Sequence, residues 1–301
     1  MPSIYKSKKE AVRLLLKDQP EDGTSPQAMT FAVDYLSFFG YLGIYLLRNL
    51  TAEDLKAAVK LFQRTFGLKA DGLAGPKTIS AMHYPRCGCP DFVDKEKPEH
   101  IEYMHLKERA KENQQKWLKD ELVYLVDGYV TGIARKVQDE IISQAVKSWT
   151  DVAGIQIRKC SHKQKKTADI IISVGKGKEH NFDGQGGTLA WAYLPRGKNR
   201  QLLMKFDLSE IWVKDQYGRG VWMLPVAAHE FGHILGLDHS NKKEALMAPY
   251  YNPFVSSPQA NDDVTKIQGL YGKPRNAAAI TKHLGRSIVL RSGEELLVTC
   301  E

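Results

Sequence analysis

Three histidines and a glutamate between residues 229 and 239 have the types and spacing of a site that activates water on a metal. The run reads His229-Glu230-Phe231-Gly232-His233-Ile234-Leu235-Gly236-Leu237-Asp238-His239. On a helix, residues four apart share a face, so His229 and His233 can bind one ion. Gly236 accepts backbone conformations that other residues resist, so the helix can stop there and the chain can turn. That turn lets His239 reach the same ion from outside the helix. Three imidazoles leave a fourth tetrahedral position open, as a catalytic Zn(2+) site requires. Glu230, beside the first ligand, can take a proton from metal-bound water.

A second chemical feature lies upstream, in Pro85-Arg86-Cys87-Gly88-Cys89-Pro90-Asp91. Thiolate is a strong zinc ligand. With Cys87 in the fourth position, no water binds and the site is silent, while Arg86 and Asp91 can pair to hold the loop. Downstream, Met247 stands in Ala245-Leu246-Met247-Ala248-Pro249-Tyr250-Tyr251. Taken alone, a methionine is usually core filler.

Together these runs resemble a known family. The histidine run matches the metzincin zinc signature, and Met247 is placed like the methionine turn beneath the metal. The cysteine run resembles the cysteine switch of the matrix metalloproteinases, or matrixins. The resemblance spans roughly Tyr35 to Gly272. Tyr35-Leu36, Gly40-Tyr41-Leu42, Phe62-Gln63, Phe66-Gly67-Leu68, Asp71-Gly72 and Gly75 look like the matrixin propeptide, which is related to peptidoglycan-binding modules. Lys116-Trp117 is similar to the start of the catalytic domain. Phe182 to Ala190 resembles the family's calcium loop. That likeness implies a Ca(2+) site on Asp183, Asp207 and Glu210 with the carbonyls of Gly184, Gly186 and Thr188; a plain glycine-rich turn is the other reading. The family also implies that Asp263 pairs with a new N-terminus after activation; the other reading is an exposed acidic helix start. It implies further that the Thr188–Leu194 strand, with Ala190, pairs with extended substrate. Pro249 and Tyr251 are then expected to wall the pocket for the residue after the cut.

The chain departs from the family's pattern at several places. Trp191 and Lys205 stand where two histidine ligands of a structural zinc are expected, so only one zinc, the catalytic one, is predicted. His180 then reads as a leftover surface residue, and Lys205 is expected to pair with Glu179 or Asp183. Gln201-Leu202-Leu203 replaces the Gly-Gly-Asp run of another calcium site. No convertase site lies in the linker, which points to cleavage by a different protease or by the enzyme itself. No hemopexin-like domain is expected after Gly272.

The elements that must position these residues are read from periodicity. The first third predicts three helices: one after Ser25-Pro26, one after the capping box Thr51-Ala52-Glu53-Asp54 and ending at Gly67, and one from Pro76 to Met82. A charged stretch from Asp94 to Gln115 reads as a linker. Strands are predicted at Leu122–Val126, Ile155–Ile157, Ile170–Val174 (central in the sheet), Thr188–Leu194 and Leu202–Phe206. A long helix carries Val137, Ile141, Ala145 and Trp149, the zinc helix starts near Pro225, and a last helix carries Val264, Ile267 and Leu270. The predicted fold is α+β: a three-helix propeptide and a zincin-like catalytic domain with a twisted five-stranded sheet and three helices. The expected division is propeptide 1–91, activation segment 92–116, catalytic domain 117–272 and tail 273–301.

The 301 residues are 43% hydrophobic and 26% charged, ordinary for a globular protein, with a net charge of +8. The scattered lysines read as a solvated face, with an acidic-glycan patch as the alternative. The opening residues have no apolar core and predict no secretory signal, and the Phe31–Leu47 stretch is too interrupted for a membrane span. Secretion is implied only by the resemblance. Cys87, Cys89, Cys160 and Cys300 are too few for a disulfide scaffold, and a Cys160–Cys300 bridge stays open. Asn49-Leu50-Thr51 is a glycosylation sequon. The expected function is a zinc endopeptidase zymogen acting on proteins or peptides of the extracellular matrix. An activating protease and tissue-inhibitor-type proteins are its implied partners, and nucleic acid is not among them. Two alternatives stay open: a permanently latent or non-catalytic matrixin homologue, and a carbohydrate-binding module on a cell-wall hydrolase.

Overall fold

The computed structural model describes residues 11–13, 25–42, 51–92, 116–195 and 201–274, with two short backbone segments at 288–289 and 295–296. The sequon at Asn49, the linker Asp94–Gln115, Cys300, the opening residues and most of the tail lie outside the described residues.

Helices α1 (Pro26–Phe38), α2 (Ala52–Phe66) and α3 (Pro76–Met82) form the N-terminal unit. The Ser25 hydroxyl accepts the Ala28 N–H at 3.2 Å and starts α1. Thr51 and Asp54 cap α2 reciprocally, and Gly67, at φ 64°, ends it in the left-handed conformation. The three helices bury Met29, Leu36, Leu55 and Phe62 in a core of their own. A further helical piece at 11–13 sets Ala11 against that core, so this unit holds more helix than the predicted three.

The main sheet joins β1 (Arg86–Cys87), β2 (Glu121–Val126), β3 (Gln156–Lys159), β4 (Ile170–Gly175), β5 (Thr188–Ala192) and β6 (Leu202–Asp207). Its strand order is β1-β5-β6-β4-β2-β3. β5 runs antiparallel to β6, and every other pairing is parallel. The expected five strands are therefore six, and β4 is interior, as its apolar run suggests. The sixth strand is the cysteine motif itself. An edge strand presents unpaired backbone groups that template another strand. Here Arg86 N–H and Gly88 N–H donate to the carbonyls of Gly187 and Ala190 at 3.0 and 2.8 Å.

Helices α4 (Arg135–Thr150) and α5 (Met223–Ile234) pack together, and α6 (Thr265–Tyr271) closes the domain. Short 3-10 helices at His162–Thr167 and Lys178–His180 and a π turn at Ala260–Val264 add to the predicted three. Such short pieces leave no period to detect in the sequence. The main core contains Trp149, Leu122, Ile142, Phe206 and Phe231, all nearly or wholly buried. Trp149 Nε1–H donates to Ala228 O at 2.7 Å and locks α4 to the zinc-motif helix.

Gly232 marks the tightest contact beneath that helix. A Cβ there would lie 2.2 Å from Met247 Sδ and 2.9 Å from the Trp149 ring. Gly232→Ala should lower stability by about 1–3 kcal/mol through overpacking. Denaturant unfolding checks this, and a Met247→Ala background should shrink the effect because the two positions share one space.

Candidate metal centre and its thiol latch

Helix α5 carries His229, Glu230 and His233, and all three are buried. Gly236, at φ 102°, turns the chain after the helix and brings back His239, whose side chain is 5% exposed. His229 Nδ1 is 2.7 Å from Leu246 O, His233 Nδ1 is 2.7 Å from Leu237 O, and His239 Nδ1 is 2.8 Å from Asp91 Oδ1. For His229 and His233 these contacts place the ring proton on Nδ1 and leave Nε2 with a lone pair facing the centre. Yet His229 Nε2 and His233 Nε2 stand 3.1 Å apart. Two lone pairs at that distance repel unless positive charge lies between the rings, either a metal cation or a proton on His233, where, against burial, Cys89 and Glu230 push the pKa up to about 9. Burial, then the neighbouring imidazoles, hold His229 well below the usual histidine range, so protonation is not the remedy there.

Cys87 completes the set. Its Sγ is 3.4 Å from His233 Nε2, and one donor atom from each of Cys87, His229, His233 and His239 lies within 4.8 Å of all the others. Burial pushes the Cys87 thiol up, so its sulfur becomes a thiolate only with a cation beside it. A Cys/His/His/His metal-binding cluster is the result, and its donors suit zinc. Glu230 is fully buried, and neither carboxylate oxygen has a hydrogen-bond partner among the described residues. Burial and then the Cys89 sulfur push its pKa up to about 8, against His233 and Cys87, which lower it.

A buried ion pair holds the latch. Arg86 is 1% exposed, and its guanidinium donates to Asp91 at 2.6 Å through Nη2 and 3.1 Å through Nη1. It also donates to Cys87 O at 3.0 Å, to the Tyr35 hydroxyl at 2.6 Å and to the Tyr250 hydroxyl at 3.2 Å. The Phe39 ring lies 3.5 Å from its central carbon, and the Tyr41 hydroxyl donates to Asp91 at 2.7 Å. Burial works against the Asp91 charge, but Arg86 and His239 hold the carboxyl well below its ordinary range.

The motif lies where substrate was expected. Ala190 O accepts Gly88 N–H, Pro249 O accepts Cys87 N–H, and Tyr251 N–H donates to Pro85 O. The Tyr251 hydroxyl accepts the Trp222 N–H at 2.9 Å. A cavity opens beside Glu230 among Leu189, Val226, Leu246, Tyr251 and Val255.

Asp263, expected to pair with a new N-terminus after activation, is engaged by backbone amides in the uncleaved chain. It is fully buried, and its carboxylate accepts the N–H groups of Leu246, Met247 and Gln259 at 2.7, 3.1 and 2.8 Å. This holds the turn that aims Leu246 O at His229, and Asp263 is not an exposed residue at the helix start. Met247 is 0% exposed. Lys205 also departs from expectation: its ammonium meets His180 Nδ1 at 3.2 Å and the Trp191 ring at 5.4 Å, while Asp183 accepts the Thr188 N–H. His180 is half-buried, and its carbonyl accepts the Trp191 indole N–H at 2.8 Å. In the expected calcium loop, Glu210 accepts the Gly186 N–H at 2.6 Å and Asp207 accepts the Ser209 N–H at 2.7 Å. The other Asp207 oxygen is buried without a partner among the described residues. Gly184 and Gly186 take φ of 102° and 90°.

Sequence reasoning missed Tyr35 and Tyr250 on Arg86, Asp91 on His239, and Asp263 beneath the methionine turn. These contacts join distant parts of the chain, and no local spacing announces them. Cys160 is a free buried thiol.

The fold and cluster define a two-part metalloprotease-like protein: an N-terminal helical unit and a sheet domain whose zinc-type donor set is closed by the cysteine strand. The matrixin profile matches residues 116–272, and a peptidoglycan binding domain profile matches residues 25–82. Macrophage metalloelastase of Rattus norvegicus is 36% identical over 83% of this chain and 52% of its own length. Stromelysin-1 of Equus caballus is 34% identical over 82% of this chain and 50% of its own. Matrilysin of Homo sapiens is 33% identical over 86% of this chain and 91% of its own. The chain belongs to the matrixin family. It spans about half the length of several of these relatives.

Arg86→Ala leaves the buried Asp91 charge without its guanidinium partner, with only the Tyr41 hydroxyl and His239 beside it. Removing one partner of such a pair costs about 3–5 kcal/mol. The N-terminal unit should then undock, read as faster limited proteolysis between the two parts and a lower unfolding midpoint.

Proposed function

We propose that the chain is a latent zinc endopeptidase. The observation that carries this reading is the inward-facing histidine set, closed by Cys87 and flanked by the unpartnered Glu230 carboxylate. His229, His233 and His239 would hold the ion. Bound zinc supplies a Lewis acid that polarises the scissile carbonyl and lowers the pKa of its water. Glu230 accepts the water's proton and hands it to the leaving amine, and a pKa near neutrality suits both transfers. Cys87 excludes water while the pro-segment is docked.

The edge of β5, with Ala190, binds extended peptide once the pro-segment leaves, and Pro249 and Tyr251 wall the adjoining pocket. Its apolar lining favours an apolar side chain. We assign 1–91 to the pro-unit, 92–116 to the activation segment, 117–272 to the catalytic domain and 273–301 to the tail. The family points to extracellular-matrix-type proteins as substrates, and to an activating protease and tissue-inhibitor-type proteins as partners. It also points to secretion. No described helix is long and apolar enough to cross a membrane.

We also assign Ca(2+) to the Asp183–Thr188 loop with Asp207 and Glu210. Burial, with repulsion among these acids, raises the pKa of Asp207 and Glu210, a conflict that a divalent cation would relieve.

The full chain should cleave a quenched collagen-type peptide after organomercurial treatment and lose that activity with 1,10-phenanthroline. A folded, zinc-loaded chain that stays inert with its pro-segment removed overturns the assignment. Glu230→Ala should keep the metal and lose turnover by about 10²–10⁴-fold. Calcium should raise the thermal midpoint of the native chain, and Asp207→Asn should abolish that rise.

A further inference from the structure

Cys89 is the residue of the latch that the mechanism above leaves idle. Its side chain is buried, its Sγ donates to Ala192 O at 3.2 Å, and its N–H points at Cys87 Sγ at 3.2 Å. The strand ends at Cys87 and the chain bends at Gly88 and Cys89, which folds the Cys89 sulfur back within 4.8 Å of the donor atoms of Cys87, Glu230 and His233. Gly88 between them presses on β5 so closely that a Cβ would meet the Thr188 methyl at 2.5 Å. The backbone contacts of Arg86, Cys87 and Gly88 fix the segment in that position.

Two overlapping donor sets result. Cys87 closes the first with three histidines, and donor atoms of Cys87, Cys89, Glu230 and His233 form the second, again all within 4.8 Å of one another. The Cys89 sulfur thus stands beside a nitrogen that belongs to the proposed zinc site.

We propose that Cys89 is an alternate latch ligand: when Cys87 leaves the ion, the Cys89 sulfur takes the fourth position. This rests on the zinc reading above. In the exchange the metal–sulfur bond to Cys87 breaks and one to Cys89 forms. Cys89 gives up its thiol proton and Cys87 takes one, so the charge of the site is unchanged. Glu230 lies within 4.8 Å of both sulfurs and is placed to carry that proton. The latch therefore opens only when both thiols are withdrawn.

The test uses the full chain loaded with cobalt(II), whose thiolate-to-metal charge-transfer absorption reports sulfur ligation without any turnover. The native chain and Cys87→Ser should both show the band, and Cys87→Ser/Cys89→Ser should lose it. Peptide cleavage by the uncleaved chain should rise from Cys87→Ser to the double variant. A Cys87→Ser chain that lacks the band and cleaves as fast as the double variant overturns the inference while leaving the zinc reading intact. A native chain with no cobalt–thiolate band overturns both. Should the serine variants not fold, the native cobalt chain is treated stepwise with a monofunctional mercurial, with peptide mapping of each thiol. The band should persist in molecules modified at Cys87 alone. Its loss at that stage overturns the alternate ligand.

Discussion

The nitrogens His229 Nε2 and His233 Nε2 face each other at 3.1 Å, and the rest of the site is arranged around that conflict. Each ring has given its other nitrogen to a backbone carbonyl, so neither can rotate away without leaving a buried polar group unpaired. Positive charge between the rings, a bound metal or a proton on His233, reconciles the pair. The helix supplies the four-residue spacing, but the aim of each ring is set elsewhere. Leu246 O orients His229 because the buried Asp263 carboxylate holds the Leu246 and Met247 amides. Gly232 lets Met247 and Trp149 press against the helix from below. The metal geometry is therefore the output of three chain segments, each held by buried polar or packing contacts.

The latch solves a related problem with the same means. A cysteine placed on a metal must be prevented from drifting, and a two-residue strand alone is a weak anchor. β1 gains hydrogen bonds from the open edge of β5, and the buried Arg86–Asp91 pair pins the loop from Cys87 to Asp91. Taking both charges out of water is costly, and burying such a pair is a poor way to gain stability. Its use here is positional. Arg86 spans the loop, two phenols and the Phe39 ring, while Asp91 reaches His239. The Cys87–Asp91 loop thus touches the candidate metal site through a sulfur and through the support of His239.

Around Lys205 the contacts differ from the expected ion pair. The ammonium is partly buried, which pulls its pKa down, and it rests on the Trp191 ring and beside His180. An aromatic face and an imidazole nitrogen are its neighbours, and Asp183 stays in its own loop on the Thr188 amide.

Local chemistry fixed much of this in advance. The four-residue histidine spacing, the turn at Gly236, the capping box at Thr51, and the apolar runs of β2, β4 and β6 are all periodic or positional signals, and each element formed where its residues placed it. The cysteine motif was equally legible, because Arg86, Cys87 and Asp91 lie within six residues. What only the tertiary structure decided is how distant segments meet. That the cysteine motif becomes a sheet strand depends on β5 lying at an edge. Asp263 supports the methionine turn because the π turn at Ala260–Val264 buries it there. Lys205 finds His180 because a strand pairing and a short 3-10 turn converge. Such contacts join residues that no periodicity links, and they exist only once the burial of the core has brought the segments together.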